Sequence, residues 1–290
     1  MFEGSIVAIA TPFKNDKVDE EALRNLVEYQ IAKGTDGIVP CGTTGESATL
    51  THDEHCRVID IVIDQTKKRV PVIAGSGSNS THETVYLTEH AKKAGADGAL
   101  IITPYYNKPT QEGLYQHFKH VAERVDIPIV MYNVPGRTSV NMLPDTVNRL
   151  SKIPNIVAIK EASGSMDQAG AILSGAEKGF GLLAGEDSLY FPLMCIGASG
   201  VISASVNVCP AEAAALYDAY VAGDMKTARE LHFKLLPLFN ALFLETNPIP
   251  VKKALELMGL IGPEIRLPLI PMTEGGTAKL TAVMKQVGII

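Results

Sequence analysis

Short apolar runs alternate with amphipathic stretches from the start of the chain to about residue 203. The apolar runs are rich in β-branched residues and predict strands at residues 5–11, 37–41, 71–75, 99–103, 128–132, 156–160, 182–185 and 200–203. Between them, helical periodicity is clearest at residues 19–33, 53–67, 80–93 and 111–123. Strands separated by helices indicate βαβ units and a parallel sheet.

The number of these units predicts the fold class. Eight strands, each followed by a helix, are typical of an α/β protein with a (β/α)8 TIM barrel. A doubly wound sheet is the alternative, but it usually has fewer strands and a dinucleotide-binding motif. Residues from about 211 to 290 show helical patterns with breaks at Pro248, Pro250, 262–263 and 275–276. We therefore predict a catalytic barrel at residues 1–224 and a C-terminal helical extension at residues 225–290.

One lysine interrupts the apolar pattern. Lys160 ends the run at 156–160, which has the composition of a buried parallel strand. Burial disfavours an ammonium and lowers its pKa, and the resulting neutral amine can attack a carbonyl carbon. The alternative is a side chain whose stem packs while its head group reaches water. Strand alternation places Ile156, Ala158 and Lys160 on one face, so in a barrel the amine would point inward.

Polar side chains follow other predicted strands, at the end where a barrel gathers its catalytic groups. Thr43 and Thr44 lie in a glycine-rich turn whose N–H groups and hydroxyls could bind a carboxylate. Tyr106 and Tyr132 offer phenols for proton transfer. Arg137 offers a planar guanidinium suited to a second carboxylate. Each residue could instead have an ordinary structural role: the threonines in a turn, the tyrosines at the rim of the barrel and the arginine in a surface ion pair. Their convergence at one end of the barrel favours a functional role.

Composition excludes several classes of function. The chain has 290 residues, a formal net charge of −6 and no long basic run, which argues against nucleic acid as a partner. The N-terminus lacks the pattern of a signal peptide, and no apolar stretch approaches the ~20 residues that span a bilayer. Four scattered cysteines are typical of reduced thiols. We therefore expect a cytoplasmic protein that does not bind membranes.

Neither a metal nor a cofactor is predicted. His52 and His55 lie three residues apart at the start of a predicted helix, but only two ligands are visible and no zinc-binding spacing exists. The glycine-rich segment at residues 75–80 lacks the third glycine of the dinucleotide-binding motif, so a turn before a helix is favoured there.

The turn at residues 42–47, the Tyr-Asn-Val-Pro run that begins at Tyr132 and the strand lysine Lys160 resemble the pyruvate-dependent class I aldolase superfamily, which includes N-acetylneuraminate lyase. The resemblance covers essentially the whole chain, including residues 247–252. Residues 105–109 and 136–138 are similar to the branch that condenses pyruvate with L-aspartate 4-semialdehyde. Sugar-acid lyases typically lack an arginine at the position of Arg137, but an aldolase acting on a 2-oxo sugar acid remains the nearest alternative.

The resemblance implies a role for each site residue. The catalytic residues would be Lys160, Tyr132, Thr43 and Tyr106, and the substrate-binding residues would be Thr44, Arg137 and the backbone of Ile202. Lys160 would form an imine with pyruvate, Tyr132 would transfer protons through Thr43 to a Tyr106 from another subunit, and Arg137 would bind the semialdehyde. The product would be 4-hydroxy-tetrahydrodipicolinate, which leads to diaminopimelate and lysine.

The resemblance also implies regulation and assembly. Ser47, Ala48, His52, His55, Asn79, Glu83 and Tyr105 match the feedback site for L-lysine that many of these enzymes have at a dimer interface. Glu83 would suit the ammonium of the ligand, although it could instead only complete a capping box with Ser80. A barrel that senses lysine without catalysis is the alternative from another class of function. A borrowed tyrosine implies at least a dimer, and the resemblance suggests a homotetramer.

Overall fold

The computed structural model describes residues 2–290. The main strands are β1 (Gly4–Ala8), β2 (Gly37–Val39), β3 (Ile73–Gly75), β4 (Gly98–Ile102), β5 (Ile129–Asn133), β6 (Ile156–Glu161), β7 (Gly181–Ala184) and β8 (Gly200–Ser203). The helices are α1 (Glu20–Ala32), α2 (His52–Thr66), α3 (Thr81–Ala94), α4 (Gln111–Arg124), α5 (Pro135–Thr138), α6 (Pro144–Leu150), α7 (Met166–Gly175), α8 (Tyr190–Cys195), α9 (Pro210–Val221), α10 (Met225–Ala241), α11 (Ile249–Leu257) and α12 (Glu274–Val287). A short antiparallel hairpin, Phe13–Lys14 with Lys17–Val18, follows β1.

The strands form one sheet in the order β2-β1-β8-β7-β6-β5-β4-β3. At least one helix separates each strand from the next along the chain, and α10 to α12 follow the last unit. The fold is therefore the predicted (β/α)8 barrel with a C-terminal helical extension. Every predicted run overlaps an observed strand, because strands covered by helices on the outside keep an apolar, β-branched composition that is visible in the sequence.

The chain divides into two compact units. One unit contains residues 71–202 together with residues 2 and 3, and the other contains residues 4–70 and 203–290. The boundary that we predicted after residue 224 falls between α9 and α10 and stays a prediction. Strands β3 to β7 lie within the first unit, whereas β1, β2 and the helical extension lie within the second.

Some local predictions change in detail. The break predicted at Pro250 was wrong, because Pro250 lies in the first turn of α11, where the missing N–H removes no helical hydrogen bond. Helix α12 runs through Gly275 and Gly276, so the break predicted there was wrong: Thr273 caps the helix and accepts a hydrogen bond from the backbone N–H of Gly276. At α3, Ser80 accepts from the backbone N–H of Glu83, but the carboxylate of Glu83 accepts from the hydroxyl of Ser78, at 2.6 Å, instead of completing the box.

Candidate active site

Lys160 lies near the carboxyl end of β6. In the register of the sheet it pairs with Tyr132 on β5 and with Leu183 on β7. The residue is only 7% exposed, and its Nζ lies 4.4 Å from the centroid of the Tyr132 ring. The amine therefore lies in the interior and packs against an aromatic face, rather than extending into water.

The interior position changes the acidity of this amine. Burial is the main cause that lowers the pKa of Lys160 to about 8; Asp187 and Glu186 oppose this shift, and Arg137 contributes to it. With that pKa, roughly one amine in ten is neutral at pH 7, compared with roughly one in three thousand for an exposed lysine. The tertiary structure thus provides a nucleophilic amine near neutral pH.

Two acidic residues after β7 act on this amine, and the sequence reasoning missed them. Asp187 is buried, and Glu186 precedes it at the start of a short 3-10 helix. Burial and the neighbouring Asp187 raise the pKa of Glu186, whereas Lys160 opposes this rise. Their position directly after a strand was the signal that could have found them, since the same rule was used to predict the other site residues.

A buried polar network holds the loop that carries Arg137. The Nδ2 group of Asn133 donates to Asn141 Oδ1 at 2.8 Å and to Glu161 Oε2 at 3.0 Å. Asn133 Oδ1 accepts from the backbone N–H of Met142 at 2.9 Å. The far end of the loop, at Asn141 and Met142, is thereby tied to Asn133 on β5, and Asn133 is tied to Glu161 on β6. Arg137 lies within this loop on the short helix α5, with an exposed side chain. A polar network of this kind holds a loop in one conformation.

Tyr106 lies in the loop after β4 and is 89% exposed. Its φ of +69° is in the left-handed region, which is uncommon for residues other than glycine. The next residue, Asn107, holds the loop through its Nδ2 group, which donates to the carbonyl oxygen of Asn79 at 3.3 Å. The phenol of Tyr106 is therefore open to solvent in this chain.

Thr43 and Thr44 lie in the second unit, in a tight turn after β2. The turn is closed by a hydrogen bond from the N–H of Gly45 to the carbonyl of Gly42, at 3.1 Å. A Cβ atom at Gly45 would lie 3.1 Å from the nearest backbone nitrogen, so the turn has little room for a side chain there. Thr44 is buried, and its Oγ1 accepts from Asn247 Nδ2 at 3.0 Å. Asn247 is a further residue that the sequence reasoning did not assign to the site.

The remaining predicted site residues fall in both units. In the first unit, Ile202 is buried on β8, Glu83 lies in the first turn of α3, and Asn79 and Tyr105 lie in the loops after β3 and β4. In the second unit, Ser47 and Ala48 form a short 3-10 helix, and His52 and His55 lie on α2. Within residues 2–290, the His, Cys, Asp and Glu side chains form no group of three or more that could hold a metal ion. Among the helices of the same residues, none has the length and hydropathy that crossing a bilayer requires.

The sequence matches a known family over nearly its whole length. Residues 1–287 match the dihydrodipicolinate synthetase family. The 4-hydroxy-tetrahydrodipicolinate synthase of Syntrophus aciditrophicus (strain SB) is 61% identical over 290 residues, which cover 100% of both chains.

Solved structures give the same relationship. The crystal structure of dihydrodipicolinate synthase from Aquifex aeolicus has a TM-score of 0.98 and 52% identity, covering 99% of each chain. The chloride-inhibited dihydrodipicolinate synthase from Acinetobacter baumannii, complexed with pyruvate, has a TM-score of 0.98 and 48% identity over 100% of both chains. The enzyme from Cyanidioschyzon merolae with lysine bound has a TM-score of 0.96 and 39% identity, covering 100% of this chain and 99% of that one.

Proposed function

The chain belongs to the dihydrodipicolinate synthetase family and is a lyase, and from this premise we propose that it condenses pyruvate with L-aspartate 4-semialdehyde to give 4-hydroxy-tetrahydrodipicolinate. The observation that carries the proposal is the buried amine of Lys160, whose pKa is lowered to about 8 and which packs against Tyr132. The A. baumannii relative complexed with pyruvate supports pyruvate as the first substrate.

The chemistry begins at Lys160. Its neutral Nζ attacks the ketone carbon of pyruvate, and loss of water gives an imine. Removal of a proton from the methyl carbon gives an enamine, which attacks the aldehyde carbon of the semialdehyde. The amino group of the new product then attacks the imine carbon, closes the ring and releases Lys160. Tyr132 is the proton donor and acceptor for these steps, and Thr43 and a neighbouring subunit's tyrosine at position 106 relay the proton.

Two carboxylates have to be bound. We assign the pyruvate carboxylate to the hydroxyl of Thr44 and the backbone of Ile202, and the semialdehyde carboxylate to Arg137. A guanidinium can make two parallel hydrogen bonds to a carboxylate, which fixes both position and orientation. The loop network around Asn133 supports this role because it anchors the segment on which Arg137 lies.

Trapping of the imine tests the proposed function directly. Borohydride added in the presence of pyruvate should leave a pyruvyl adduct on Lys160, located by peptide mass analysis. The neutral amine reacts, so the initial rate of trapping should rise about tenfold from pH 6 to pH 7 and level off above pH ~8. A protein without an adduct would refute the imine mechanism, and a rate that still rises above pH 10 would refute the lowered pKa.

Substitution of Arg137 tests the assignment of the second substrate. In a coupled assay, Arg137→Ala should raise KM for the semialdehyde by about 10- to 100-fold, the range expected for a lost hydrogen bond to a charged group. KM for pyruvate should stay within about twofold. The matched control is Arg149→Ala, because Arg149 pairs with Glu112 on the surface. Parallel assays with 2-oxo sugar acids distinguish the proposed synthase from an aldolase that acts on such acids, since only the synthase uses the semialdehyde.

We also propose that L-lysine inhibits the enzyme at a site that includes Glu83. The lysine-bound enzyme from C. merolae supports this proposal. Glu83→Gln should raise the L-lysine concentration for half inhibition by at least tenfold, because the variant loses the negative charge that faces the ligand's ammonium. Glu89→Gln, on the exposed face of the same helix, is the control. An enzyme unaffected by millimolar L-lysine would contradict the proposal.

The proposed assembly is a homotetramer made of two dimers. The exposed Tyr106 supports contact with a second subunit, because a catalytic phenol that is 89% exposed in one chain needs further surroundings to act. Light scattering measures this assembly directly.

A further inference from the structure

We propose that the C-terminal segment at residues 247–266 positions the turn that binds pyruvate: Asn247 orients the hydroxyl of Thr44, and Lys252 fixes the turn through Glu46. This inference rests on the proposed function, in which Thr44 binds the pyruvate carboxylate. All of these residues lie in the same compact unit of the chain.

The first link is the hydrogen bond between Asn247 and Thr44. The amide Nδ2 of Asn247 donates to Thr44 Oγ1 at 3.0 Å, and the bond is buried. An amide N–H can only donate, so the hydroxyl oxygen of Thr44 is the acceptor. The hydroxyl proton then has to point elsewhere, as a donor. A carboxylate can only accept, so this arrangement prepares Thr44 for an anionic substrate group and disfavours a donor in the same place.

The second link is a buried ion pair. Glu46 lies two residues after Thr44, and its carboxylate accepts from Lys252 Nζ at 2.5 Å, with side-chain exposures of 1% and 5%. Lys252 also donates to the carbonyl of Thr11 at 3.1 Å, and Thr11 Oγ1 donates to the carbonyl of Gly45 at 2.7 Å. The ammonium thus holds both the side chain of the turn and the strand end against which the turn packs.

The backbone conformation of the turn explains why these contacts matter. Glu46 has a φ of +52°, in the left-handed region that non-glycine residues seldom adopt. Such a conformation persists only where surrounding contacts hold it. The carboxylate of Glu46 supplies them, because its other oxygen accepts from the backbone N–H of Arg266 at 3.1 Å. Release of this side chain would let the turn relax and move the hydroxyl of Thr44.

Arg266 extends the same support to helix α2. Its guanidinium donates to Glu54 at 2.8 and 2.6 Å and to the carbonyl of Thr49 at 3.1 Å. Hydrogen bonding to Arg266 is the main cause that lowers the pKa of Glu54 to about 2. The ring of Phe13 lies 4.2 Å from the Arg266 guanidinium and 4.4 Å from Lys252 Nζ. The cations of Lys252 and Arg266 are therefore each held by a contact with the ring of Phe13 and by a carboxylate.

Two variants separate the effect of the Glu46–Lys252 ion pair on pyruvate binding from its effect on the stability of the protein. Lys252→Met leaves a buried carboxylate without a cation, so we expect lower stability and a KM for pyruvate raised about tenfold, with kcat changed less than threefold. In the double variant Glu46→Gln with Lys252→Met no lone charge remains, so the melting temperature should recover while KM for pyruvate stays raised. Lys253→Met is the matched control, since Lys253 pairs with Glu256 on the neighbouring turn of α11.

Variants of Asn247 test the direction in which the hydroxyl proton of Thr44 points. Asn247→Ala removes the donor but leaves the Thr44 hydroxyl free to donate, so KM for pyruvate should rise about threefold. Asn247→Asp replaces the donor with an acceptor that captures the Thr44 proton, so KM for pyruvate should rise at least another tenfold. Asn240→Asp, exposed on α10, controls for the added charge. Equal effects of the two Asn247 variants would overturn the proposed orientation.

Failure of this inference is distinguishable from failure of the proposed function. Borohydride trapping on the wild-type protein reports whether Lys160 forms the imine, independently of Glu46 and Lys252. If the wild type is trapped but the double variant needs no more pyruvate for half-maximal trapping, the ion pair is only structural. If KM for pyruvate recovers together with the melting temperature in the double variant, the positioning role is also overturned.

Discussion

Lys160→Met should lower kcat/KM by at least ~10³-fold and abolish trapping of the pyruvyl adduct, because no other group described at the site replaces the imine-forming amine. The same variant should be more stable than the wild type at pH 7. Burial lowers the pKa of Lys160 from 10.5 to about 8, so holding the ammonium form in the folded protein costs up to about 3 kcal/mol below pH 8. Methionine has a similar length and no charge to bury.

The sign of the pH dependence follows from the lowered pKa. Above pH 10.5 the lysine is neutral in both the folded and the unfolded state, and its protonation costs no stability. As the pH falls towards 8, the unfolded chain binds the proton more readily than the folded one, so the penalty grows and then stays constant. The stability difference between wild type and Lys160→Met, measured by urea unfolding, should therefore be largest below pH 8. Lys152→Met, at an exposed position, is the control, and equal stability of wild type and Lys160→Met at pH 7 would contradict the argument.

Tyr132→Phe should lower kcat by about 10²-fold, the usual contribution of a positioned general acid or base. The ring that packs 4.4 Å from Lys160 Nζ remains, so the fold and the environment of the amine should be preserved. The imine can still form more slowly, so the borohydride adduct should still accumulate on prolonged incubation. This combination distinguishes proton transfer from nucleophilic attack.

A matched control exists for the tyrosine variant. Tyr115 on α4 has the guanidinium of Arg149 at 4.0 Å from its ring, and Tyr115→Phe keeps that contact. Its kcat should stay within about twofold of wild type. A kcat for Tyr132→Phe equally close to wild type would exclude Tyr132 as the proton-transfer group.

Local patterns were sufficient for several features of this protein. The β-branched runs identified the eight strands, because strands covered by helices have to be apolar over most of their length. The same rule made Lys160 stand out as an exception. Positions at or just after the end of a strand made Tyr132, Tyr106 and Arg137 candidate site residues, and their roles stay predictions. Capping was less predictable. At α3 the carboxylate of Glu83 accepts from the hydroxyl of Ser78 instead of closing the box with Ser80, and the N–H of Ser80 donates to the same Ser78 hydroxyl, at 3.2 Å.

The contacts that shape the candidate site could not be predicted from local patterns in the sequence. Glu46 and Lys252 are 206 residues apart in sequence, and Asn247 and Thr44 are 203 apart. Neither pair has a spacing or composition that marks it, because any buried acid or amide can find a partner anywhere in the chain. No sequence pattern predicts the hydrogen bonds of Asn133 with Glu161 and Asn141 either.

The sequence by itself thus determined the barrel, the order of its elements and the lysine at the end of β6, since these follow from apolar periodicity and strand alternation. Only the tertiary structure decided how acidic that lysine is and what orients the groups proposed to act with it. The pKa of Lys160 depends on burial and on the balance between Arg137, Glu186 and Asp187, and the orientation of Thr44 depends on Asn247. Such properties arise from long-range packing, where desolvation and hydrogen-bond direction are set by neighbours that are distant in sequence.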